Sequence, residues 1–230
     1  MRAPRLPLGA VVPAFEAARS VADVARRTLG LVDRLVVVDD GSRDGTGEAA
    51  AAAGADVLTH AENRGKGAAL RTGMEALFSE GVGHVATIDA DGQHLPEELP
   101  VLTATLGRSP DLVLGIRSHL FQGMNPVRRI SNRVSSRLIS VAAGERLSDV
   151  QTGFRLYSRR LFEEVGLPED GFEAESAVVV RACRRGYRVL GVPVEMGFVD
   201  GRCTSHYRRL LDSLRIARAV VGARFERIGT

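Results

Sequence analysis

Ile88-Asp89-Ala90-Asp91-Gly92-Gln93-His94 sets two carboxylates two residues apart, with a carboxamide two further on. Val85 to Ile88 just before them are apolar or β-branched, which predicts a buried strand running into a turn. Asp89 and Asp91 can then converge on one point past the strand end. A hard divalent cation takes oxygen ligands, and Mg²⁺ uses one or two protein carboxylates while leaving positions for phosphate. The plain alternative is a solvated Asp-Gly turn, and these seven residues alone favour neither. A second acidic turn, Asp39-Asp40-Gly41-Ser42, follows the apolar run Leu35 to Val38. Gly65-Lys66-Gly67 opens a predicted helix, where backbone N–H groups and the Lys66 charge suit an anion. An exposed lysine at a glycine-rich helix entry is the equally good plain reading.

The elements that must position these groups alternate. Leu8 to Val12 reads as a strand ended by Pro13. A helix from about Ser20 carries Val21, Val24, Ala25 and Leu29 on one face, with Ser20 as its N-cap. Leu35 to Val38, a helix over Thr46 to Ala53, a strand over Ala55 to Leu58 and a helix with Leu70, Met74, Leu77 and Phe78 inward come next. Strands alternating with helices predict an α/β fold, a mostly parallel central sheet flanked by helices. Ligands in such sheets sit beyond the carboxyl ends of the strands. Pro13, Asp39-Asp40 and Asp89-Asp91 all fall at those ends. No Gly-x-Gly-x-x-Gly follows the first strand and no Gly-x4-Gly-Lys-Ser/Thr is present, which excludes the dinucleotide and P-loop readings.

Composition narrows the class. The chain has 230 residues, 44% hydrophobic, enough for a substantial core. Net charge is +3 and pI about 9.3, with the basic residues gathered late. That favours a local anionic contact, and without Trp or a long basic run nucleic acid is not an expected partner. Cys183 and Cys203 fit no zinc spacing, and with no signal peptide they point to a reducing compartment. No apolar run reaches the roughly 18 residues of a membrane span.

Val12-Pro13-Ala14-Phe15, Val37 to Thr46, Asn63 to Leu70 and Asp89 to His94 together resemble the successive motifs of family 2 glycosyltransferases, which have the GT-A fold and use nucleotide-sugar donors. Ser148-Asp149-Val150-Gln151-Thr152-Gly153-Phe154-Arg155 is similar to the dolichol- and polyprenol-phosphate sugar transferases within that family. The resemblance covers roughly residues 8 to 206. It implies a catalytic domain over 1–206, followed by a basic amphipathic helix over 207–230 that packs on it or extends from it.

The resemblance also implies roles. Pro13, Phe15, Asp39 and Asp40 line the nucleoside side of the donor site. Lys66 and Ala90 lie near the donor, and Asp89, Asp91 and Gln93 gather Mg²⁺ or Mn²⁺ around the diphosphate. Glu16-Ala17 stands where the family has Asn-Glu, so the base stays open between GDP-mannose and UDP-glucose. Arg117, Arg128 and Arg202 meet the phosphate of a polyprenyl phosphate acceptor, although Asn132 replaces the family's serine and His206 its lysine. Glu175 matches an acid of many relatives near the sugar; as a first-turn helix acid it has an equally simple explanation.

Asp149 carries two readings. A hydroxyl acceptor needs a general base, and Asp149 is the best-placed carboxylate. A lipid phosphate is already anionic, and Asp149 would then order the acceptor loop. The leading expectation is an inverting, metal-dependent transfer of a hexose, mannose ahead of glucose, to a polyprenyl phosphate at the cytoplasmic face of a membrane. A hydroxyl acceptor and a non-catalytic nucleotide-sugar-binding protein are the alternatives. The last helix, about Tyr207 to Arg224, is expected to bury Leu210, Leu214, Ala217 and Val221 and to show its arginines to anionic lipid. A peripheral membrane contact, a membrane-protein partner and a homo-oligomer are all consistent with it.

Overall fold

A computed structural model describes residues 7–117, 136–197 and 209–226, with backbone alone at 209–211. Seven strands form one sheet in the order β3-β2-β1-β4-β6-β5-β7. They are β1 (Leu8–Ala14), β2 (Arg34–Asp39), β3 (Asp56–Thr59), β4 (His84–Thr87), β5 (Leu112–Ile116), β6 (Arg155–Ser158) and β7 (Val189–Pro193). All neighbours are parallel except β6, which runs against both β4 and β5. The mostly parallel α/β expectation therefore holds.

The helices are α1 (Val21–Leu29), α2 (Thr46–Ala52), α3 (Lys66–Ser79), α4 (Leu99–Thr103), α5 (136–143), α6 (Arg159–Val165), α7 (Glu173–Arg184) and α8 (Arg209–Phe225). One face of the sheet packs on α1, α2 and α4 through Val12, Val37, Val24 and Leu102. The other packs on α3, α5, α7 and α8 through Val11, Leu70, Ile139, Val179 and Val220. Successive strand residues point to opposite faces, so a strand covered on both sides must be apolar throughout. β1 obeys this, with all seven residues buried. Pro13 is tolerated because pairing to β4 ends at Val11–Thr87, so its missing N–H removes no bond on that side.

Three sequence expectations need correction. Pro13 does not end β1, which runs on to Ala14 and stays paired with β2 there. Ser20 stands before α1, but its hydroxyl donates to the Ala17 carbonyl and makes no cap bond. In α8 the buried face is Ile216, Val220 and Ala223, packed against α7, whereas Leu214 and Val221 are 69% and 56% exposed. Asp212, buried at the cleft described below, lies on the same inward stripe of α8 as Ile216 and Val220.

β6 was not expected as a strand. Its reversed direction positions the site. Thr87 of β4 pairs with Arg155, the first residue of β6, and Arg155 also pairs with Leu114 of β5. The loop entering β6, including Asp149 and Thr152, therefore returns to the rim where Asp89 and Arg117 emerge.

Candidate active site

A cleft of about 810 Å³ opens at this rim. Pro13 to Ala17 from the end of β1, Asp40 and Asp44 after β2, Asn63, Gly65 and Lys66 at the start of α3, and Asp89, Ala90 and Asp91 after β4 line it. Phe172 before α7 and Asp212 and Arg215 on α8 close the other side. The residues expected on the donor side thus come together, with two qualifications. Asp39 is not among the lining residues; its carboxylate accepts from the Ser42 amide at 3.0 Å and braces the turn. Gln93 also stands off the lining, while its backbone N–H donates to Asp91 Oδ1 at 2.9 Å.

Asp40 is 3% exposed and its oxygens are engaged. It accepts from the amides of Arg64 and Gly65 at 2.9 and 2.8 Å and contacts His60 Nδ1 at 2.6 Å. It therefore fixes the glycine turn that starts α3. Gly65 has φ +102 and its backbone passes so close to Asp170 that a Cβ would meet that carbonyl at 2.4 Å. Only glycine suits that position. Glu16, also at positive φ, accepts from the Arg43 amide at 2.9 Å and ties the β1 loop to the β2 loop.

Lys66 bridges two carboxylates. Its Nζ lies 2.6 Å from Asp89 Oδ1 and 2.7 Å from Glu175 Oε2, and 5.9 Å above the Phe172 ring. Burial alone would lower the Lys66 ammonium, but Asp89 and then Glu175 outweigh it and hold its pKa well above the ordinary lysine range. Burial likewise would raise Asp89, and Lys66 chiefly overrides it, keeping this carboxylate ionised. Asp91 is pushed up, first by burial and then by the charge of Asp89. Two neighbouring acids driven apart in this way are a feature of functional sites.

The donor set fits a hard divalent cation. The two carboxylates Asp89 and Asp91 are the oxygen ligands that Mg²⁺ or Mn²⁺ takes, and no cysteine is among the described residues that line the cleft. The Asp89 carboxylate also lies against Gly153, where a Cβ would come within 2.3 Å of Oδ2. The loop has made room for this group. Among the described residues no three His, Cys, Asp or Glu are already gathered as a closed cage. A site using two carboxylates and substrate phosphate does not need one.

Arg117 leaves the end of β5 at the same rim. Its Nε and backbone N–H both donate to Asp149 Oδ2, at 2.7 and 2.8 Å, and its Nη2 donates to Oδ1 at 2.8 Å. Asp149 is 2% exposed and held at φ +50. Arg155, fully buried, supports the loop by donating to the carbonyls of Thr152 (2.7 Å) and Val150 (2.8 Å), and to that of Glu175 (2.6 Å). Arg128 and Arg202, with Asn132, Cys203 and His206, lie outside the described residues.

Other site residues were not singled out from sequence. Arg19, Phe172, Asp212 and Arg215 line the cleft, and the sequence offers no spacing that would reveal them. His94 had a legible signal in its place after Asp91 and Gln93. It is 2% exposed, stacks on Phe154 and sits with Nδ1 3.6 Å from Asp89 Oδ2. Burial, with Asp89 opposing, pushes it down to about 4, so it is neutral. Cys183 is half-buried, and burial pushes its thiol up to about 11, far from reactive.

A sheet of this topology, with an acid-lined cleft at its carboxyl rim, defines a GT-A glycosyltransferase fold. The profile of glycosyl transferase family 2 matches residues 10–166. The chain belongs to glycosyl transferase family 2 and is a glycosyltransferase. It is 32% identical over 176 residues to a dolichyl-phosphate hexose transferase of Haloferax volcanii, covering 76% of this chain and 74% of that one. It is 30% identical over 172 residues to a polyprenol monophosphomannose synthase of Mycolicibacterium smegmatis, covering 70% and 65%. In fold it is similar to glucosyl-3-phosphoglycerate synthase of Mycobacterium tuberculosis, crystallised with Mn²⁺, UDP and phosphoglyceric acid. That match has a TM-score of 0.71 at 24% identity and covers 95% of this chain and 77% of that one.

Proposed function

We propose that the protein transfers a hexose, mannose ahead of glucose, from a nucleotide-sugar to a polyprenyl phosphate with inversion at the anomeric carbon. The observation that carries this reading is the clamp of Asp149 on Arg117. Both oxygens of the best-placed carboxylate are committed to a guanidinium. A hydroxyl acceptor needs a free base here; a phosphate acceptor needs a fixed cation. The names of the lipid-phosphate transferases among its relatives support the same acceptor.

In this reading the acceptor phosphate rests on Arg117, with Arg128 and Arg202 assigned to it by the family motifs. One of its oxygens attacks the anomeric carbon from the face opposite the diphosphate. The C–O bond to the diphosphate breaks as the new one forms, so no proton has to be removed. Pro13, Phe15 and Asp40 hold the nucleoside side, with Asp39 bracing the turn beneath. Lys66 and Ala90 face the donor. Asp89 and Asp91, with Gln93, would hold Mg²⁺ or Mn²⁺, which offsets charge on the departing diphosphate. Catalysis is then mainly positioning and charge stabilisation. No helix among the described residues is long and apolar enough to cross a membrane. In our reading the lipid acceptor is met from the side, at the cytoplasmic face, and the relatives named for lipid-phosphate acceptors support the membrane contact.

The test is incorporation of labelled sugar from GDP-mannose and from UDP-glucose into a short polyprenyl phosphate, with Mg²⁺ or Mn²⁺ and with chelator. Metal-dependent lipid-linked product from one donor is expected. Metal-dependent hydrolysis of a donor without lipid product would overturn the acceptor assignment.

A further inference from the structure

Lys66 is the one lysine in a chain whose other 30 basic residues are arginine. A guanidinium is a broad planar fork, whereas an ammonium is a compact point charge. The position that breaks the chain's habit is the one where a cation must fit between two carboxylates, Asp89 and Glu175, at 2.6 and 2.7 Å.

Asp89 is hemmed in at this contact. Its carboxylate lies against Gly153, whose carbonyl accepts from Thr87 Oγ1 at 2.8 Å and is fixed to β4. Its other oxygen faces His94, neutral and within 3.6 Å. A divalent cation bonded to either oxygen of Asp89, at the usual distance of roughly 2.1 Å, would meet the Lys66 ammonium as a close like charge. The movable partner is the lysine, on a flexible four-carbon stem, and Glu175 offers it a second anchor.

We infer that Lys66 is a resident counter-ion of the metal-free site, and that a divalent cation binds Asp89 by displacing it. Released from Asp89, the ammonium keeps Glu175 and faces the cleft, where the donor diphosphate lies. Metal and donor then load cooperatively, because the diphosphate stabilises the displaced lysine. The inference rests on the reading of Asp89 and Asp91 as metal ligands.

The single lysine makes the test direct. Protein carrying ¹⁵Nζ-labelled lysine gives one side-chain signal, followed while Mg²⁺ and then GDP or UDP are added. In parallel, Mn²⁺ affinity is measured by calorimetry for the wild type and for Lys66→Met, each checked for an intact thermal transition. The expected result is a shift of the Lys66 signal on Mg²⁺ addition and Mn²⁺ affinity at least about fivefold tighter in Lys66→Met without nucleotide. Metal binding that leaves the lysine signal unmoved, or a Lys66→Met variant that binds Mn²⁺ no tighter, overturns the displacement alone. No metal binding by the wild type, with or without nucleoside diphosphate, overturns the metal-ligand reading as well.

Discussion

Arg117 and Asp149, separated by 32 residues in sequence, meet in a two-point contact of 2.7 and 2.8 Å at the end of β5. The Arg117 amide adds a third bond to the same carboxylate. Paired this way, Asp149 holds the guanidinium in one orientation. Asp149→Asn keeps the shape but loses the charge and one acceptor. We expect the KM for polyprenyl phosphate to rise roughly ten- to hundredfold, with donor affinity retained. A general base would instead lose kcat at unchanged KM, with a changed pH profile. Steady-state kinetics with acceptor varied at saturating donor separates the two.

Arg155 holds the loop that carries Asp149. It is fully buried and donates only within the protein, with Glu175 Oε1 3.7 Å away. Replacing one member of a buried polar network leaves the others unsatisfied. Arg155→Met is expected to destabilise the fold by about 3–5 kcal/mol, read as a lowered midpoint in chemical denaturation. A change under 1 kcal/mol would contradict the assigned support.

Much of this site was legible in the sequence. The acids at the ends of β2 and β4 announced themselves because apolar strands run straight into them, and the alternation of strands and helices placed them on one rim. β6 was harder to see. It is four residues long, with an arginine at its start that is fully buried although its type suggests solvent. Its helix cap, Ser158, accepting from the Leu161 amide at 3.1 Å, was the available clue. Glu175 was legible only through the family resemblance. In a first helical turn an acid is explained by the dipole alone, and only the fold brings Lys66 from over a hundred residues away.

The face of α8 supplies a stability prediction. Ile216 is 8% exposed and Leu214 69%. Ile216→Ala should cost about 2–3 kcal/mol and Leu214→Ala less than about 0.5 kcal/mol. Thermal or urea unfolding measures both. A larger cost at Leu214 than at Ile216 would return α8 to the orientation expected from sequence.

The neutral His94 makes the fold sensitive to acid. Its pKa falls from 6.5 to about 4 on burial, so between these values the unfolded chain binds a proton that the folded chain does not. Stability therefore declines as pH falls below 6.5, by up to about 2–3 kcal/mol near pH 4. His84, also lowered by burial, adds to the same slope. Asp89, held low, loses its contribution only at more acid pH. His94→Gln should flatten the fall in melting temperature between pH 6.5 and 4.5, and an unchanged slope would place the acid response elsewhere.

Two acceptors that differ only in the phosphate separate the two roles of Asp149. A short polyprenyl phosphate and the corresponding free polyprenol are offered separately with the active donor and Mg²⁺ or Mn²⁺, and lipid-linked sugar is counted. Product from the phosphate alone is the predicted result, because Arg117 is held ready for an anion and both oxygens of Asp149 are committed to Arg117. Equal or greater product from the free alcohol would contradict it and restore Asp149 as a base.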